Sequence, residues 1–503
     1  MDIGEWKGRA ERVEGGWYEL AIDSSPGVPV RLFVNASLLG ELDPLVYHQM
    51  LAATQFAGVR CVVITPDVHV GYGVPVGCVI ATDYDKGAIA LGPVGFDIGC
   101  GMISAKSNVA ARSATPERRL SFNREVMARV ALGAGEPSRC FDQLSHSEFM
   151  QYVRGGADAY ARLHPIDFDR TRTERQAFAV DDDWEPPWGG KGCPERGMNQ
   201  LGSLGGGNHF IELQRGVGPA EDPQCADDGL LHVQIHTGSR GFGHGLATNY
   251  FALARDERKE LGGNLDLGYF LPDSAHYRGY LNAVAAGANF AIVNRLIVYE
   301  QVRAAFRTVF DGDLELVYEL SHNLVQAEWH PEFGHVWVHR KGATRALPAG
   351  HPALKGSAYE RTGHPVLVPG SNRDESYILR PRPGAVSSLY SVNHGAGRRL
   401  SRGDAQRLLD QDKINASYRR AGIVVNDAGP VPLDESSTCY KRANDVVSCV
   451  TGLGLAEIET RLWPLCSIKG DDSEPRKRSR QRRQRDKERG NERAARRKAK
   501  SPG

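Results

Sequence analysis

A chain of 503 residues with 41% hydrophobic and 24% charged residues carries enough apolar material for a sizeable core, which excludes disorder throughout. The formal net charge of +1 hides an asymmetry, because residues 475–500 hold 14 Lys or Arg against three acids and the preceding body is net acidic. Nine scattered cysteines without a Cys-x-x-Cys pair exclude a disulfide framework and a zinc ribbon.

No run approaches the roughly 18 apolar residues of a membrane span, and Met1-Asp2-Ile3-Gly4-Glu5-Trp6 lacks the basic and apolar regions of a signal peptide. The expectation is a cytoplasmic protein with no membrane partner. In chain order, strands are expected at Val59 to Thr65, Leu230 to His236, Leu314 to Leu320, Val336 to Val338 and Pro365 to Val368, several nearly continuous in apolar residues as buried strands are. A helix is expected from Ala283 to Phe310, stopped by Asp311-Gly312-Asp313. This mixture points to an α+β or α/β core. Without an internal repeat or a linker before residue 471, residues 1–470 read as one unit. Residues 471–503 read as a disordered basic tail, either a solubilising appendage or an electrostatic grip on RNA phosphates.

The 57 glycines concentrate in loops that also carry His, Asp, Ser or Asn. These loops are Asp67 to Gly73, Gly95 to Gly101, Gly205 to His209, His236 to Gly241, Pro369 to Ser371 and His394 to Arg398. Glycine lets backbone approach a ligand closely, so six such loops suggest a large polar site for phosphates and metal. The candidate metal donors are Asp97, Cys100, His209, His236 and His322, three of them following or ending expected strands. A thiolate with imidazoles suits zinc, whereas a carboxylate and a phosphate substrate shift the preference toward manganese; composition leaves both open.

The segments together resemble the RtcB RNA ligases. The matches run through Pro66-Asp67-Val68-His69, Phe96-Asp97-Ile98-Gly99-Cys100-Gly101, Leu204 to Glu212, His236-Thr237-Gly238-Ser239-Arg240-Gly241 and Ser321-His322-Asn323. They continue in His339 to Arg345, Pro369-Gly370-Ser371, His394-Gly395-Ala396-Gly397-Arg398 and Ile468-Lys469-Gly470. The resemblance spans roughly residues 25 to 470 and implies one catalytic domain with that family's own α+β fold.

It further implies an enzyme that takes GTP and two Mn2+ ions and joins an RNA 3′-phosphate or 2′,3′-cyclic phosphate to a 5′-hydroxyl, in tRNA splicing or RNA repair. His394 matches the nucleophile that carries GMP. Asp97, Cys100, His209, His236 and His322 match the metal ligands, with Cys100 bridging the two ions. The guanylate pocket falls on Asn208, His209, Glu212, His322, Asn323, Pro369, Gly370, Ser371, Asn372, Ser376, His394, Gly395, Ala396, Gly397 and Lys469. Asp67 and Asn208 fall among the catalytic residues, as do Arg240, Lys341 and Arg398, whose charge suits phosphoryl oxygens. An archease-type activator and a monomer belong to the same expectation. One segment departs from the family pattern: Pro-Gly-Ser-Met-Gly-Thr is replaced by Pro369-Gly370-Ser371-Asn372-Arg373-Asp374, which bears on the loop's shape and on nucleotide preference. The alternatives are a guanylyltransferase that caps 3′-phosphates without sealing, a metal-dependent phosphoesterase, and a non-catalytic RNA-binding factor.

Overall fold

The β-rich runs assemble into two large, mostly antiparallel sheets. In this computed structural model residues 5–470 are described, except 26, 142–143, 165–167, 176, 188–193, 218–228 and 262–266. The basic stretch 471–503 therefore lies outside the described residues. A seven-stranded sheet runs in the order Ala10–Arg12, Tyr18–Leu20, Val30–Leu32, Val59–His69, Val76–Asp83, Gly334–Lys341, Asn323–His330. An eight-stranded sheet runs Leu314–Ser321, Gly101–Ala110, Leu230–Thr237, Phe210–Val217, Ala456–Ile468, Ser376–Pro381, Val366–Val368, with Val424–Val425 beside Ala456–Ile468. Between Leu314–Ser321 and Asn323–His330 the chain passes from one sheet to the other through one residue, His322.

The apolar run from residue 59 is explained by burial of both its faces. Val62 and Ile64 turn toward Leu38, Val46 and Met50 of helices Ala36–Glu41 and Pro44–Ala53, in a cluster that includes the fully buried Trp6. Cys61 and Val63 turn the other way, onto Val366, Val368 and Tyr377 from the second sheet. The expected strand extends four residues further, to His69. Its register slips between Ile64 and His69, and this irregularity contains Asp67 and Val68, which read as the start of a loop in the sequence.

The expected helix begins six residues earlier than its aliphatic pattern, at Tyr277, and ends at Phe310, where Asp311 takes a left-handed conformation with φ 53°. At 34 residues it is about 51 Å long. Its Phe290, Val293, Leu296 and Ile297 pack with Ile103, Leu213 and Ile235 of the eight-stranded sheet and with Phe122 and Phe149 of helices Pro116–Arg129 and His146–Leu163. By length and composition this helix is apolar enough to cross a membrane, contrary to the expectation from the sequence, and 89% of its most apolar window is buried inside the protein. Among the described residues seven cysteines are free and none is bridged.

Candidate active site

Four donors meet because four neighbouring strands end at the same edge. Cys100 precedes Gly101–Ala110, His209 precedes Phe210–Val217, His236 is the penultimate residue of Leu230–Thr237, and His322 follows Leu314–Ser321. Gly101 sits opposite both Thr237 and Ser321, and Phe210 opposite His236, so the register alone converges the side chains. Cys100 Sγ lies 3.2 Å from His236 Nε2 and 3.4 Å from His209 Nε2. His236 Nε2 lies 3.2 Å from His322 Nε2, and His209 Nε2 3.0 Å from Asp97 Oδ2.

The outer ring atoms decide the tautomers. His236 Nδ1 donates to the Asn208 carbonyl at 3.1 Å, which leaves its Nε2 as a lone pair directed at Cys100, whereas His209 Nδ1 donates to the Leu204 carbonyl at 3.0 Å and its Nε2 faces both Cys100 and Asp97. His322 Nδ1 is buried without a partner. Burial holds His236 and His322 well below the usual histidine range, in the neutral form that ligates metal. Although burial pushes Asp97 up, the His209 hydrogen bond and the nearby Arg240 guanidinium hold it well below the carboxylate range. Asp97 Oδ1 accepts from the Ser239 amide at 3.1 Å. A Cβ at Gly238 would lie 2.4 Å from that oxygen, so only glycine fits there. Burial, reinforced by Asp97, raises the Cys100 thiol well above its ordinary value, a direction that a bound cation reverses. The Cys100, His209 and His236 donor atoms lie within 4.8 Å of one another and can hold a metal ion.

Arg295 clamps this edge from behind. Fully buried on the long helix, it donates from Nη1 to the carbonyls of Gly99 (2.6 Å) and Thr237 (3.0 Å), and from Nη2 to Ser321 Oγ (2.9 Å). Each of those residues adjoins a donor. The buried Glu319 carboxylate balances its charge at 2.5 Å.

A cavity of about 320 Å³ opens from this cluster. His394, one residue beyond strand Ser391–Asn393, enters it close to the donor cluster, with its ring centroid 4.9 Å from that of His322. Asp67, fully buried in the irregular strand, accepts at Oδ2 from His394 N (3.1 Å), His394 Nδ1 (2.8 Å) and Gly395 N (3.3 Å), and at Oδ1 from Thr65 (2.6 Å). Burial pushes Asp67 up, but His394, the Thr65 hydroxyl and Lys441 overcome it and keep Asp67 a carboxylate. Lys441 spans the same strand, donating to the carbonyls of Pro66 (3.1 Å) and Val68 (2.8 Å). Gly397, at φ 75°, could carry no side chain, because a Cβ would sit 2.0 Å from the Asp67 carbonyl oxygen.

The far end of the cavity is organised by a residue that the sequence reading passes over. Glu435 receives Lys469 (3.1 Å), Arg398 (3.3 Å), Arg402 (3.3 Å) and the Tyr440 hydroxyl (2.6 Å). Burial pushes Glu435 up, and these partners, Lys469 foremost, hold it below its ordinary value. Lys469 also lies 5.5 Å over the Phe210 ring. Glu212 is buried here, and burial pushes its carboxyl up to about 8.

Of the sequence candidates, Asp97, Cys100, Asn208, Glu212, His236, His322, Asn323, Lys341, Pro369, Gly370, Ser371, Asn372, His394, Gly395, Ala396, Gly397, Arg398 and Lys469 line this cavity. His209 contacts Cys100 and Asp97 instead. Ser376 stands behind the wall, accepting from Gly370 N at 3.1 Å. Arg240 lines a separate cleft with Arg196 and His244, bonded to Ser203 Oγ at 3.2 Å. Lys341, pushed down to about 8 by burial, donates to the carbonyls of Tyr72 (2.6 Å) and Val74 (3.0 Å). The reading missed His69, Phe96, Phe210, Arg402 and Tyr440 on the same wall. Of these His69, Phe96 and Phe210 lie inside quoted motifs, which was their only signal.

The family model for tRNA-splicing ligase RtcB matches residues 49–470. The tRNA-splicing ligase RtcB of Nanoarchaeum equitans is 34% identical over 489 residues, covering 93% of this chain and 100% of that protein. That of Pyrobaculum aerophilum is 33% identical, covering 88% and 95%. The RNA-splicing ligase RtcB of Mycobacterium tuberculosis is 34% identical, covering 82% and 97%. With its strand-end donor cluster and the Asp67–His394 pair inside the matched span, the chain belongs to the RtcB family of RNA-splicing ligases.

Proposed function

We propose that this protein seals RNA, joining a 3′-phosphate, or a 2′,3′-cyclic phosphate first opened to it, to a 5′-hydroxyl through a guanylylated His394. The observation that carries the reading is the Asp67–His394 pair at 2.8 Å. By holding Nδ1–H, the carboxylate leaves the Nε2 lone pair free to act as a nucleophile. Nε2 attacks the α-phosphorus of GTP, an N–P bond forms, the bond to the bridging oxygen breaks, and pyrophosphate leaves. An oxygen of the RNA 3′-phosphate then takes the guanylyl group from His394. The 5′-hydroxyl finally attacks the RNA phosphorus and GMP departs.

Asp97, Cys100, His209, His236 and His322 would hold two Mn2+ ions, which when bound offset the repulsion between neighbouring phosphates and polarise their oxygens. The donor set fits this charge, since burial keeps His236 and His322 neutral and the Nε2 atoms of His209 and His236 converge on a thiol. Glu212, Asn372 and Lys469 border the end assigned to guanine, with Phe210 and Tyr440 offering aromatic surface. Lys341 and Arg398 face the phosphates from the same wall, whereas Arg240 reaches RNA from the adjoining cleft. The reading extends to action as a monomer, with an archease-type protein as activator.

Incubation with α-labelled GTP and manganese tests it. Label is expected on the wild-type chain, lost on acid treatment as a phosphoramidate is, and absent from His394→Ala. Equal labelling of His394→Ala, or no label on either protein, ends the reading. Accumulation of RNA bearing a 3′-terminal guanylate, without a longer strand or a circle, would replace sealing with capping.

A further inference from the structure

The loop that departs from the family pattern is wired into the fold by each of its three new side chains. Asp374 accepts at Oδ2 from Ala443 N at 2.8 Å, at the start of helix Ala443–Gly452. The Arg373 guanidinium lies 5.9 Å over the Tyr418 ring. The Asn372 amide oxygen accepts from the Tyr418 hydroxyl.

That last contact fixes which way the amide faces. The Tyr418 oxygen already accepts from the backbone N–H of Ser437 at 2.9 Å, and its own proton is directed to Asn372 Oδ1. Reversing the amide would strand two buried groups, the tyrosine proton and the amide oxygen, in place of one. Nδ2 is therefore a donor of set direction. It is buried without a partner, on a residue 4% exposed that lines the cavity. A buried donor left unpaired is destabilising unless something binds it.

Its surroundings say what that is. Gln214 Nε2 donates both to Glu212 (2.7 Å) and to Ser376 Oγ (3.0 Å), and that hydroxyl also holds Gly370, two residues before Asn372. Asn372 thus belongs to the Glu212 end of the cavity. A carboxyl there suits the N1 and N2 donors of guanine, and the remaining edge of that base presents two acceptors, O6 and N7.

We propose that Asn372 is a specificity-determining residue of the nucleotide pocket, its Nδ2–H donating to the O6/N7 edge of guanine. This inference rests on the guanylate reading above. Adenine, which carries an amino donor in place of O6, meets the fixed donor unfavourably. Tyr418 acts through Asn372 and is a positioning residue.

The test is equilibrium binding of GTP, 7-deaza-GTP, 2-aminopurine riboside triphosphate and ATP to the full chain with manganese. Wild type is compared with Asn372→Met, which restores the residue the family commonly carries, and with Asn372→Asp and Tyr418→Phe. Asn372→Met is expected to weaken GTP about tenfold, the worth of one buried hydrogen bond. It should also reduce the penalty that wild type shows for whichever analogue lacks the contacted acceptor, the part of the 2-aminopurine penalty due to its missing N1–H remaining in both proteins. Asn372→Asp, which turns an acceptor toward an acceptor, should lose more. Tyr418→Phe should lose less than either, with the same analogue pattern. Unchanged GTP affinity in Asn372→Met, or analogue penalties of equal size in wild type and variant, overturns the inference while leaving the guanylate reading intact. Wild type that binds none of the nucleotides overturns both.

Discussion

At one end of the cavity Glu435 gathers Lys469, Arg398, Arg402 and the Tyr440 hydroxyl, so opposite charges are already matched. At the other, Cys100 and three histidines turn ring nitrogens toward one another at 3.2 to 3.4 Å, with His322 Nδ1 lacking any partner. The first arrangement is complete as protein and needs its ligand only for binding. The second is a set of converging donors, two of its histidines held neutral by burial, whose mutual approach is favourable chiefly around a cation, so any metal affinity there is coupled to stability and to pH. What makes the second end tolerable is the rigidity behind it: backbone register brings the donors together and Arg295 ties their three flanking segments.

The largest effect should come from the centre of the donor cluster proposed to hold metal. Cys100→Ala should lower metal affinity more than roughly 100-fold, since even partners that only orient metal ligands are worth about 10- to 100-fold. Calorimetric titration with Mn2+ measures it, and a loss below threefold would show that the ions do not meet at Cys100. The next effect probes the clamp. Arg295→Met leaves Glu319 buried and unpaired, for a destabilisation of roughly 3–5 kcal/mol in denaturant unfolding. Adding Glu319→Leu should return much of that stability without returning metal affinity, which should stay about 10- to 100-fold down. Full metal affinity in the double variant would reduce Arg295 to a stability element and remove the contrast between the two ends.

The strands at 59, 230, 314, 336 and 366 were legible because runs buried on both faces write themselves as continuous apolar sequence. The donors were legible only as members of motifs. Nothing in the spacing of Cys100, His209, His236 and His322 announces a cluster, because what unites them is register between strands far apart in sequence. Arg295 was hidden as one polar residue in an aliphatic helix, and Glu435 and Lys441 lie in stretches without a motif. Asp67 read as loop because the strand that carries it is irregular there. The replaced residues 372–374 were visible as a departure from the pattern, but the Tyr418 contact that gives Asn372 its direction depends on a helix over 40 residues away.

The smallest expected effect tests whether the end proposed for the nucleotide is as complete as its contacts suggest. Burial pushes Glu212 up to about 8, against the partial relief of Gln214 and Lys469, so near neutrality the folded protein keeps a proton that the unfolded chain has released. The folded state then binds more protons than the unfolded one between about pH 4.5 and 8, and linkage makes stability fall as pH rises through that window and level off above it. Glu212→Gln removes the titration while keeping a group that can pair with Gln214. Its unfolding midpoint should be flatter from pH 5 to 8, and its advantage over wild type should grow to about 2 kcal/mol near pH 8, moderated because Glu212 borders a cavity that water can reach. Parallel pH profiles for the two proteins would mean that Glu212 is already a carboxylate in the folded state, with Lys469 shared between Glu212 and Glu435 and the proposed guanine edge met by full negative charge.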